Sequence, residues 1–204
     1  MMCKLRIFIL NLILTVLIPG VMAYAEVVVN SPAPDFALTD SQGVEHKLTD
    51  YKGSYVVLEW VNYDCPFVIK HYGSGNMQSL QKKMKEEGVV WLSINSSAEG
   101  KQGCFPPDQI NSLMVERSAT PTAYLIDKDG MVGKTYEAKT TPHMYIVNPE
   151  GTLIYQGAID SIPSFDVEDI AKAENYVLLA VSEAKAGKAL THPSTTSYGC
   201  SVKY

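Results

Sequence analysis

Glu59-Trp60-Val61-Asn62-Tyr63-Asp64-Cys65-Pro66-Phe67-Val68-Ile69-Lys70-His71-Tyr72 decides how this chain folds. It closes an apolar run, Tyr55 to Val61, that is hydrophobic on both alternating faces, as a central strand covered by helices on each side should be. The run stops at a short polar turn. Pro66 suits the first residue of a helix, where a backbone N–H would have no intrahelical partner. Cys65 is then the N-cap, its sulfur facing free N–H groups and the positive helix end. Such a site lowers a thiol pKa and fills the nucleophilic thiolate state. The plain alternative is a buried cysteine acting as a small hydrophobe.

Outward from this stretch the order is legible. Ser31 to Pro34 reads as extended chain, Asp35 to Asp40 as a strand, and Ser41-Gln42-Gly43 as a turn into Val44 to Leu48, a hairpin. The Cys65 helix is expected to end near Tyr72. Gly73-Ser74-Gly75 interrupts, Asn76 caps a second helix from Met77 to Glu87, and Val89 to Asn95 is the next strand. Strand, helical crossover and strand make a parallel, right-handed βαβ unit. A loop over 96–105 carries Cys104, and Pro106-Pro107-Asp108 opens a helix to Arg117. Thr120 to Gly130 and Thr141 to Gly151 echo each other, a recurrence of strand-and-turn chemistry rather than a repeat array. The first continues as a helical turn, Met131 to Ala138; the second pairs with Thr152 to Gln156 as a hairpin. Val167 to Ala186 reads as one last helix, capped by Asp166. Residues 188–204 form a tail with too many sticky side chains (Tyr198, Cys200, Val202, Tyr204) for simple disorder.

The 204 residues, 46% hydrophobic and 19% charged, suit one globular domain once a leader is removed. Lys4 and Arg6 precede an apolar run from Ile7 to Ile18, Pro19-Gly20 breaks it, and Ala23-Tyr24-Ala25 is a small-x-small cleavage site. Residues 1–25 therefore read as a signal peptide, 26–187 as the domain and 188–204 as the Cys200-bearing tail, with a periplasmic or secreted, membrane-free product. Without the two leader charges, 15 basic against 22 acidic side chains leave a net −7, which recruits neither nucleic acid nor anionic lipid. Three cysteines remain, Cys65, Cys104 and Cys200, so an oxidising compartment allows at most one internal bridge.

The order hairpin, strand, Cys-bearing helix, strand, helix, strand, Thr-Pro, hairpin, helix resembles the thioredoxin fold. Its redoxin branch includes the alkyl hydroperoxide reductase/thiol-specific antioxidant (peroxiredoxin) family and periplasmic thioredoxin-like thiol:disulfide proteins. The likeness runs from about residue 30 to 186, carried by Ala33-Pro34-Asp35-Phe36-Ala37-Leu38, Leu48-Thr49-Asp50-Tyr51-Lys52-Gly53, the Cys65 helix and Thr141-Pro142. It implies an α/β fold, a central mixed sheet flanked by helices with an N-terminal hairpin extension, and a cis Thr141–Pro142 bond facing Cys65. Departures are clear. A Cys-x-x-Cys would need cysteine where Val68 stands, and a peroxiredoxin pattern would need threonine at 62 and proline at 58, where Asn62 and Leu58 stand. Arg117, the one arginine outside the leader, does not match the peroxide-activating position.

Cys65 is expected as nucleophile and Cys200 as resolving thiol, with Cys104 the rival partner. Glu59, six residues before Cys65, is expected to be buried beneath it and to exchange its proton. Pro142 completes the catalytic group, and Thr141, Pro66 and Asn62 are expected against substrate, Asn62 donating toward the sulfur. Lys70 and His71 read as a solvated face or as local core polar groups rather than thiolate partners. The histidines lack zinc-site spacing, so no metal or cofactor is expected. The expected function is exported thiol redox chemistry on a peroxide or a disulfide, reset by an unidentified thiol reductant. The alternative is a non-catalytic thioredoxin-fold peptide-binding module with structural cysteines.

Overall fold

The computed structural model describes residues 27–204, so the leader and its cleavage site lie outside the described residues. Seven strands, in the order β2-β1-β5-β4-β3-β7-β8, make one mixed sheet. They are β1 (Ala37–Asp40), β2 (Glu45–Lys47), β3 (Val56–Trp60), β4 (Val90–Asn95), β5 (Ala123–Ile126), β7 (His143–Val147) and β8 (Leu153–Gly157). A second ladder joins β6 (Thr140–Thr141) to β9 (Cys200–Ser201). The helices are α1 (Pro66–Gly73), α2 (Asn76–Glu86), α3 (Pro107–Glu116), α4 (Met131–Thr135) and α5 (Tyr176–Lys185). None among the described residues is long and apolar enough to cross a membrane.

The expected central strand is the centre. All five residues of β3 are buried, parallel to β4 on one side and antiparallel to β7 on the other. Its alternating faces divide the core. Val57 and Val61 join Cys65, Val68, Met77, Leu80 and Val181 on one face. Val56, Leu58 and Trp60 join Leu92, Ile94, Tyr136 and Tyr145 on the other. Burial of such side chains contributes about 1.5–3 kcal/mol each, which holds β3 between α1, α2, α3 and α5 on one face and the short α4 with the N-terminal segment on the other.

Two boundaries differ from the sequence reading. Val167 to Ala186 is not one helix: Val167–Asp169 is a single 3-10 turn capped by Asp166, and α5 starts only at Tyr176. The Asn175 side chain accepts from the N–H of Leu178 at 2.9 Å and fixes that start. Backbone bonds from Ser161 to Glu174 and from Tyr176 to Ile159 hold the intervening chain out of helix. The other difference is that Gly75, left-handed at φ 76°, caps α2. Asn76 instead sends its amide to His71 Nδ1 at 2.8 Å.

The tail crosses the domain. Thr195 stitches it to β8 through Gln156, Tyr155 and Ala158. Beyond β9, Val202 bonds to Lys139, Lys203 accepts from Ala98 and Tyr204 donates to Ala138.

Candidate active site

Cys65 is the N-cap of α1, extended at φ −76° and ψ 126°, with Pro66 the first helical residue. The turn before it is folded by Asn62, whose Oδ1 accepts from the N–H of Asp64 at 2.9 Å and whose carbonyl accepts from Cys65 at 3.0 Å. Asn62 Nδ2 donates to the Gln102 carbonyl at 3.2 Å. A Cβ on Gly103 would stand 2.3 Å from this side chain. The expected bond from Asn62 to the sulfur is therefore not made; its side chain serves the turn and the neighbouring loop instead.

Cys65 itself is 0% exposed. Its thiol donates to the Thr141 carbonyl at 3.0 Å, and its sulfur lies 2.7 Å from Cys200 Sγ. Thr141–Pro142 is cis, the one such bond among the described residues, and the echoing Thr120–Pro121 is not. Thr141 pairs directly with Cys200 across the β6–β9 ladder. Gly199 makes that approach possible: at φ 132°, any Cβ would meet the Thr141 oxygen at 2.1 Å. Cys104 is exposed and makes no contact with Cys65 among the described residues.

The two thiols are driven apart in acidity. Burial works against ionising Cys65, yet its pKa falls below the ordinary value through hydrogen bonding from Cys200 and Thr141, aided by the Val68 N–H in the first turn. The Thr141 hydroxyl is buried and makes no hydrogen bond. Thr141 therefore meets the thiol through its carbonyl and leaves a buried hydroxyl donor unused. Cys200 moves the other way, pushed up to about 11 by burial and by the neighbouring Cys65 sulfur. Cys65 is therefore the more readily ionised thiol of the pair, and Cys200 the one that keeps its proton.

Glu59 is fully buried, and burial raises its pKa. Its carboxylate accepts from Tyr72 at 3.0 Å, Trp91 Nε1 at 2.8 Å and Ser93 at 2.8 Å. These donors from α1 and β4 engage it fully, and it makes no hydrogen bond to Cys65; the expected direct proton exchange is not set up.

Lys70 and His71 are buried, not solvated. Lys70 Nζ donates to the Ser164 carbonyl at 3.0 Å, and both residues face Asp160. Burial, with Lys70 adding, lowers His71 to about 3, so its ring is neutral. Tyr198 of the tail reaches the same carboxylate. The sequence held one signal for this cluster, the apolar tail around Cys200, but nothing near Asp160 marked it as the acceptor. His143 is a structural histidine, its Nδ1 receiving the Lys139 N–H at 3.3 Å. Arg117 sits over the Tyr63 ring, 5.2 Å from its centroid, and donates no hydrogen bond to Cys65.

Residues 29–156 match the AhpC/TSA family. The chain is 35% identical over 121 residues to the thiol-disulfide oxidoreductase ResA of Geobacillus thermodenitrificans, covering 53% of this chain and 68% of that protein. It is 28% identical over 124 residues to ResA of Bacillus subtilis, covering 61% and 64%. Among solved structures it superposes on an uncharacterized conserved protein from Geobacillus kaustophilus with TM-score 0.74 and 26% identity, over 88% of this chain and 94% of that one. A thiol:disulfide interchange protein from a Bacteroides species, 19% identical, shares the fold with TM-score 0.53 over 64% of this chain and 81% of that one.

Proposed function

We propose, for a chain that belongs to the AhpC/TSA family, that Cys65 and Cys200 cycle between dithiol and disulfide to reduce a substrate disulfide. The chain is a thioredoxin-fold thiol-dependent oxidoreductase, similar in sequence to the ResA thiol-disulfide oxidoreductases. The observation that carries the finer reading is the 2.7 Å separation of Cys65 and Cys200 sulfurs whose acidities are moved in opposite directions.

In the first step the Cys65 thiolate attacks one substrate sulfur. The substrate S–S bond breaks, a mixed disulfide forms, and the other substrate sulfur leaves as a thiolate that takes up a proton. Cys200 gives up its proton and attacks Cys65, releasing the second substrate thiol and leaving a Cys65–Cys200 bridge. Two electrons have passed from the chain to the substrate. An external dithiol, or two monothiols, returns them. Thr141 holds the Cys65 thiol through its carbonyl, Pro66 opens the helix that Cys65 caps, and Pro142 follows Thr141 through the cis bond.

A second reading is favoured by the complete burial of Cys65, which suits a small oxidant. The thiolate attacks a peroxide oxygen, the O–O bond breaks and the alkoxide leaves as the alcohol. Cys200 then attacks the resulting sulfenic acid, expelling water and forming the same bridge. Stopped-flow mixing of reduced protein with hydrogen peroxide or with oxidised glutathione separates the two. Faster bridge formation with the disulfide supports exchange, and faster formation with peroxide supports peroxidase chemistry. Inertness to both leaves a binding module with structural cysteines.

The setting for this chemistry is outside the cytoplasm in our reading, because the Lys4/Arg6 start, apolar run and Ala23-Tyr24-Ala25 form an export leader. Intact mass of protein from the export compartment should begin at Glu26; a retained leader overturns this.

A further inference from the structure

Cys200 is held against Cys65 by more than a two-residue ladder. Two positions upstream, the Tyr198 hydroxyl donates to Asp160 Oδ1 at 2.5 Å. Asp160 is 4% exposed; its Oδ1 also accepts from the Ile162 N–H at 3.2 Å, and α1 supplies the groups at its other oxygen. Lys70 Nζ stands 4.0 Å and His71 Nε2 3.9 Å from Asp160 Oδ2. The Tyr198 ring meets Phe67 edge-on at 5.8 Å. Phe67, Lys70 and His71 lie within two turns of Cys65 on the same helix, so pocket and nucleophile move as one body. Only Gly199 separates the anchored tyrosine from the resolving cysteine.

We propose that Tyr198 is a positioning residue: its hydrogen bond to Asp160 sets the effective concentration of the Cys200 thiol at Cys65. This rests on the reading of the two cysteines as a redox pair. An intramolecular bridge forms in proportion to how often the two sulfurs meet, so a latch one residue away acts directly on its equilibrium constant. With the latch closed the tail also covers Cys65. With it open, Cys200 departs and the nucleophile is uncovered.

The test is Tyr198→Phe, which keeps the ring on Phe67 and removes only the hydroxyl. The whole domain with its tail is equilibrated in glutathione buffers, where bridge formation releases two protons and two electrons and converts one oxidised glutathione into two reduced ones. The constant should fall about tenfold or more, the loss carried chiefly by the bond to a buried carboxylate, with the longer 3.5 Å contact to His71 Nε2 lost beside it. Cys65 alkylation in the reduced protein should accelerate. A merely structural tyrosine destabilises the oxidised and reduced folds alike and leaves that constant unmoved. Asp160→Asn, whose amide oxygen is a weaker acceptor, should shift both readouts the same way by less. Values within twofold of wild type in both variants overturn the latch alone. A wild-type protein that forms no Cys65–Cys200 bridge at any glutathione ratio overturns the pairing, and the latch with it.

Discussion

Thr141 and Cys200 face each other across the β6–β9 ladder, so the residue that hydrogen-bonds Cys65 also places Cys200 beside it. One backbone position thereby fixes both sulfurs. Because β6 is only two residues long, the geometry depends on a few contacts, each accessible to a single substitution.

The two cysteines should separate by kinetics. Cys65→Ser should lower reactivity with oxidised glutathione roughly a thousandfold or more, since the attacking atom is gone. Cys200→Ser should still permit the first attack but strand a glutathionyl group on Cys65, seen by intact mass and peptide mapping. A glutathionyl group on Cys200 in the Cys65→Ser protein, formed at the wild-type rate, would reverse the assignment.

Thr141→Val keeps the side-chain shape and removes the buried, unpartnered hydroxyl that is available to the thiolate. A hydrogen bond to a charged group is worth about 1.5–3 kcal/mol, so the Cys65 midpoint should rise by about one unit or more. Thiolate absorbance followed against pH in a Cys200→Ser background reads it. An unmoved midpoint would show that Thr141 acts on Cys65 through its carbonyl alone.

Gly199→Ala places a methyl 2.1 Å from the Thr141 oxygen at a φ that side chains avoid. Strain and overlap together should cost about 1–3 kcal/mol. The loss should concentrate in the tail, so hydrogen exchange at Cys200 and Ser201 should speed up before that of β3. Exchange unchanged there would mean that the ladder contributes nothing to holding the tail.

The stretch 55–72 was readable because its signals agree: a β-branched run, a polar turn and Cys-Pro all specify one strand and one helix start. The last helix was misread because Ile170 and Val177 fit one helical face. Asn175 and the bonds to Ile159 and Ser161 break that segment, and such contacts are invisible in a linear pattern. For Asn62 the sequence allows either a bond to the sulfur or plain turn geometry, and the turn prevails because Gln102 and Gly103 lie beside its side chain. The Asp160 pocket was not foreseen, because it unites residues from α1, the β8 exit and the tail.

Glu59 offers the clearest dependence on pH. Burial raises its folded pKa above the unfolded value of about 4.3. The fold therefore favours the neutral acid, and that contribution is fully present below the unfolded value. It is lost as pH rises through the raised folded value and stays lost above it. Glu59→Gln cannot ionise and has no such loss. In urea titrations from acid to neutral pH, the stability of wild type relative to Glu59→Gln should decline steadily, then level off once the folded carboxyl has ionised. The change comes on top of any constant offset from replacing an acceptor among Tyr72, Trp91 and Ser93 by an amide. Parallel curves across that range would show that these donors fully offset the cost of burying the charge. Because Glu59 makes no hydrogen bond to Cys65, the pH profile of Cys65 oxidation should keep its midpoint in Glu59→Gln; a shifted midpoint would restore Glu59 to the proton path.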